Sequence, residues 1–180
     1  HQGIVVHACV PSMDCRSINQ RNGTSMITIA STAITLALVF YTIGVFAERR
    51  AGTLKLEHII FFYMGLVFDT AGTAVMSVIA RGNSANLAHA TTGLLAIILM
   101  IIHAAWATIA YAKKNPETLS RFHRLSIGVW LVWLVPYVCG MLMGIPALKL
   151  DSNVAFVSAI GTSIVAGLLI FGAEAKRLRR

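Results

Sequence analysis

At 180 residues the chain is 57% hydrophobic and only 12% charged, with a mean hydropathy of +0.74, well above what a soluble domain keeps in water. The length allows one domain and the composition excludes a soluble enzyme. A formal charge of +8 would suit nucleic acid, but the basic residues stand in short clusters between apolar runs and form no continuous stripe, so a nucleic-acid partner is excluded too.

In chain order, residues 1–25 are mixed and weakly patterned, with no stretch apolar enough for a signal peptide. They read as an external tail, or as a stretch foreign to the natural protein with Met26 as a start position. Within them Asn22-Gly23-Thr24 is a glycosylation sequon, meaningful only in a secretory pathway that glycosylates. Cys9 and Cys15 are the two cysteines able to pair in an oxidising compartment. Five apolar runs follow: Met26 to Phe46, Ile59 to Ala80, Leu87 to Ala112, Leu125 to Leu148 and Val154 to Gly172. Each has about the 20 residues that a helix needs to cross roughly 30 Å of hydrocarbon. Backbone groups in lipid must be bonded within their own segment, so the runs are helices. The expectation is an all-α integral membrane bundle of five transmembrane helices over residues 26–175, in contact with the lipid bilayer, with a basic tail at 176–180.

The connections alternate in charge. Arg49, Arg50 and Lys55 follow the first run, Lys113, Lys114, Arg121 and Arg124 follow the third, and the chain closes on Lys176-Arg177-Leu178-Arg179-Arg180. Arg16, Arg21, Arg81 and Lys149 fall on the other side. The fifteen basic residues divide eleven to four, which by the positive-inside rule puts the C-terminus in the cytoplasm and the N-terminus outside. A plasma membrane, and a bacterial inner membrane in particular, is the expected home. Asn115-Pro116-Glu117 supplies a cap, a first-turn proline and an acid at the positive end of a helix dipole, so the fourth helix should begin there, ahead of its apolar stretch.

Ionisable groups inside such a chain are the first place to seek function. His58, His89, His103 and His123 fall in the spans or at their edges. His89 and His103 share one helix, within about 40° of each other and about 21 Å apart along its axis. Gly93, Ala96, Met100 and Ala107 share their face. On the second helix the period carries His58 onto Gly65, Asp69, Gly72 and Met76, and on the fourth it carries His123 onto Trp130, Leu134, Tyr137 and Met141. Three consecutive helices thus carry histidine faces, which are expected to share an interior. Each also has a plainer reading. Interfacial histidines face headgroups, and small residues simply let helices pack closely.

The run His89-Ala-Thr-Thr-Gly93 followed by His103, with His123-Arg124-Leu125 opening another helix, resembles the histidine and glycine spacing of membrane b-type cytochromes and ferric-reductase-like domains over about residues 55 to 145. That resemblance implies a helical bundle in which histidines from different helices ligate haem b. It departs from the pattern where a second histidine would follow, since Tyr137 and Gly72 occupy those positions, so one haem is expected before two. His58, His103 and His123 are the candidate iron ligands, Gly93 a close-approach position, and Met76 or Met141 a thioether partner for His89. Asp69, the one carboxylate within an apolar run, is expected to hold a ligand such as His103 by hydrogen bond or to relay protons, with Tyr137 beside it in that role.

The leading expectation is a small haem-binding protein of electron transport, an oxidoreductase whose partner is a membrane quinone or a redox protein. A second is a proton-coupled transporter or small-molecule binder working through Asp69 and His103, which with five spans would need to form an oligomer. A third is an assembly or scaffold subunit of a larger membrane complex.

Overall fold

The computed structural model describes residues 15–80, 87–144 and 150–178. They form five helices and, among the described residues, no strand: α1 Cys15–Ala51, α2 Leu56–Ala80, α3 Leu87–Lys113, α4 Pro116–Gly144 and α5 Ser152–Leu178. All five contain a stretch long and apolar enough to cross a bilayer, which makes this a multi-pass membrane protein. Each apolar run of the sequence lies on one helix, except that the end of the fourth run, residues 145–148, lies outside the described residues. The helix α1 reaches back beyond its apolar run to Cys15, so residues 15–25 are helical. Cys9 lies outside the described residues, and the Cys9–Cys15 pairing with it.

The helix ends follow local chemistry. Gly52 adopts a φ of +64° and donates its N–H to the Glu48 carbonyl at 3.1 Å, a left-handed cap that ends α1. Asn115 Oδ1 accepts the Glu117 N–H at 3.0 Å, so α4 starts at the cap that the sequence announces. Asp151 does the same for Asn153 at the head of α5, at 3.0 Å.

In the packing, α1 to α4 form a ring in which α1 touches α2, α2 touches α3, α3 touches α4 and α4 returns to α1, while α5 lies against α4. Residues 52–55 and 114–115 join helices at one end of this ring, here called the basic end, beside Arg49, Arg50, Lys113, Lys114, Arg121 and Arg124. The α1–α2 contact is the most extensive and is built from glycines under large side chains. Tyr41 of α1 lies across Gly65, Ile34 lies across Gly72, and in the opposite sense Phe62 of α2 lies across Gly44. A methyl group at Gly44 would come within 2.7 Å of the Phe62 ring. Ser163 of α5 donates its hydroxyl to the Leu131 carbonyl of α4, a side-chain bond that ties the fifth helix to the fourth.

Gly65→Ala should therefore destabilise the bundle by about 1–3 kcal/mol through overpacking, because its new methyl group overlaps the Tyr41 ring. Gly128→Ala, where nothing lies within 4 Å, should be neutral or slightly stabilising through helix propensity. Unfolding titrations in mixed detergent micelles compare the two, and equal stabilities would contradict the packing described.

Candidate functional site

Two polar levels cross the interior of the ring. The first is centred on Asp69, thirteen residues beyond the start of α2, about 20 Å along its axis. The residue is 4% exposed. Its Oδ2 accepts the indole N–H of Trp133 at 2.8 Å and the hydroxyl of Tyr41 at 3.4 Å. Tyr41 meets Trp133 edge to face at a centroid distance of 5.0 Å, and Trp133 stacks on Tyr137 at 5.6 Å. The Tyr137 hydroxyl lies 3.4 Å from that of Thr35 on α1. Asp69 thus spans the ring from α2 to α1 and α4. The expected Asp69–His103 bond is not formed: the donors that reach the carboxylate come from α1 and α4, and His103 on α3 faces Ser126.

Nearer the basic end each ring helix contributes one ionisable group, at staggered depths: Glu48 three residues from the end of α1, His58 two from the start of α2, His123 seven from the start of α4 and His103 ten from the end of α3. His103 is buried. Its ring stacks on Phe122 at 5.0 Å and meets the edge of Phe62 at 4.8 Å, and its Nε2 lies 3.4 Å from Ser126 Oγ. His123 donates Nδ1–H to Glu48 Oε1 at 3.0 Å. Glu48 is 2% exposed, and its Oε2 is buried without a hydrogen-bond partner. His58 accepts the Lys55 N–H on Nδ1 at 3.2 Å and turns Nε2 toward Glu57 Oε1 at 3.7 Å. That is the reciprocal half of a capping box, with histidine where glutamate is usual. Both His58 nitrogens are engaged at the head of α2, so it can bind iron only by giving up the cap.

The remaining sequence candidates scatter. Ala96, Met100 and Ala107 are buried on α3 as expected, and Gly93 has open space where a side chain would project. His89 lies on the first turn of α3, with its side chain outside the described residues. Met76 is half-buried and Met141 is 51% exposed. Gly65 and Gly72 are filled by Tyr41 and Ile34, so the small-residue stripe of α2 serves the α1 contact.

Sequence reasoning missed Glu48. It follows the first apolar run and adjoins Arg49-Arg50, so it reads as one more charge at the interface. Its one signal is that α1 stays helical through Ala51, which leaves Glu48 a turn short of the helix end on the packed side. Among the described residues, no three His, Cys, Asp or Glu side chains gather as ligands for a single ion. Comparison of the chain with protein-family models, curated proteins and solved structures gives no match.

Trp133→Phe removes the shorter of the Asp69 bonds and should cost about 1–3 kcal/mol. Asp69→Asn should cost less, since the amide oxygen still accepts from Trp133. The comparison is made by denaturant unfolding in detergent, and an unchanged Trp133→Phe variant would show that the carboxylate does not depend on this donor.

Proposed function

We propose that the protein is a small b-type cytochrome that holds haem b near the basic end of the bundle, with His123 and His103 as iron ligands, and passes electrons between a membrane quinone or redox protein and a partner. By the positive-inside rule that end faces the cytoplasm, and the membrane is a plasma membrane of bacterial type.

The observation that carries this reading is the orientation of the His123 ring. Its Nδ1 faces the Glu48 carboxylate at 3.0 Å, so Nε2 is the nitrogen left to face a metal. His103 offers the second imidazole, held at Nε2 by one long contact with a serine hydroxyl that iron would displace. What supports the haem reading is the donor set: two imidazoles from different helices are ligands that haem iron takes, and the His103 ring stands among the apolar rings of Phe62 and Phe122. When bound, haem supplies one-electron chemistry, and the protein sets its potential through ligand identity and burial. Phe62 and Phe122 hold the His103 ring on its face and edge and exclude water from it. His58 keeps α2 in register through its cap.

The transporter reading, in which Asp69 and His103 titrate during a cycle, draws support from the burial of both residues. It receives less from their contacts, since the bonds of Asp69 go to Tyr41 and Trp133 and that of His103 to Ser126, and the two sets do not join.

Detergent-purified protein expressed with ample haem should show a low-spin spectrum, with a sharp α-band and a shifted Soret peak on reduction with dithionite. His123→Ala and His103→Ala should each abolish that spectrum. His58→Ala should keep it and lose about 1 kcal/mol of stability, the usual loss with a helix cap. A featureless spectrum in the haem-supplied wild type would refute the proposal, and loss of the α-band in His58→Ala would move the ligand pair.

A further inference from the structure

We propose that Glu48 is the positioning residue of this site: it locks His123 in the iron-binding tautomer, strengthens it as an electron donor and supplies buried negative charge that favours ferric iron. The inference rests on the haem reading above and adds to it the control of ligand and potential.

Three observations carry it. The contact is specific to Nδ1, at 3.0 Å, which leaves the opposite nitrogen for the metal. Carboxylate on the outer nitrogen of a ligating histidine is the arrangement that fixes ring orientation and raises ligand basicity. Glu48 is itself 2% exposed and is held at the α1 cap, where its carbonyl accepts the Gly52 N–H. Finally, Oε2 is buried and unpartnered. A carboxylate with one oxygen bare in a lipid-embedded interior is unfavourable, and His123 satisfies only the other oxygen. Ferric haem carries a net positive charge at its centre, and a centre ligated by His123 lies one imidazole ring from this carboxylate. The bare oxygen fits a site in which the balancing cation arrives with the cofactor.

The test uses the full chain in detergent, with Glu48→Gln and Glu48→Asp beside wild type. All are checked for monodispersity and helix content, then examined with and without haem. In the haem-free protein, nitrogen NMR of histidine-labelled samples should show His123 protonated at Nδ1 in wild type and a tautomer mixture in Glu48→Gln. In the loaded protein, Glu48→Gln should raise the midpoint potential and weaken haem retention about 10- to 100-fold, measured by transfer to apomyoglobin. Glu48→Asp, which keeps the charge on a shorter arm, should fall between and carries the test if the glutamine variant does not fold. Folded variants with unchanged tautomer, potential and retention would overturn the proposal. A wild type that takes up no haem would defeat the functional reading itself, and the haem-free NMR would still decide whether Glu48 sets the His123 tautomer.

Discussion

Hydrocarbon offers a carboxylate no donor, so Asp69 must be satisfied from within the protein. Its donors come from two other helices, Trp133 on α4 and Tyr41 on α1, and a single oxygen atom thereby sets the height and rotation of three helices. The consequences spread along α1 and α2. With Tyr41 aimed at Asp69, its ring has to cross the α2 backbone, and glycine at position 65 is what admits it. Close approach there brings Gly44 under Phe62. Phe62 is in turn one of the two rings that grip His103. The mid-bundle carboxylate and the imidazole nearer the basic end are thus linked by packing, without a hydrogen bond between them.

The two polar levels use different chemistry, in keeping with their depth. At Asp69 every donor is neutral and aromatic, and the indole and phenol each bring a large apolar body that fills the ring interior around their one polar atom. At the basic end the partners are ionisable and carry chain punctuation as well: Glu48 beside the α1 cap, His58 in the α2 cap, His123 early in α4. Arg49, next to Glu48, passes its guanidinium over the Phe171 ring at 5.7 Å, which also ties α5 to the end of α1.

How much of this could be read in advance follows from what periodicity encodes. Run length and charge give the spans, and Asn115-Pro116-Glu117 gives the start of α4, because these are properties of one segment. Helical spacing also gives the direction a residue takes from its own axis, and so His58, Asp69 and His103 are correctly placed inside. It does not say which helix stands opposite. Asp69 was therefore paired with His103 when its true neighbours are Tyr41 and Trp133, residues that read as ordinary packing. The glycines of α2 were read with the histidines, when the side chains of α1 fill them. The function of His58 as a cap depends on the backbone of Lys55, which no face pattern reveals. Glu48 was hidden for the opposite reason, since its neighbours in sequence are arginines and its neighbour in space is seventy-five residues away.

A carboxylate that carries protons through a transport cycle has to exchange partners between two arrangements. Asp69 is poorly placed for that. Tyr41 is fully buried, Trp133 is 2% exposed, and the two rings lock against each other, so moving either would open a void and strand a donor. The basic end is built differently. His123 keeps about a third of its side chain exposed, Glu48 keeps an oxygen unused, and His103 holds only a long contact to serine. On the haem reading proposed above this division matters, because an iron centre changes charge with little change in geometry and works best where its ligands are held by a frame that does not move. The interlocked half around Asp69 would be that frame, and the looser half around His123 and Glu48 the place where a cofactor would be held.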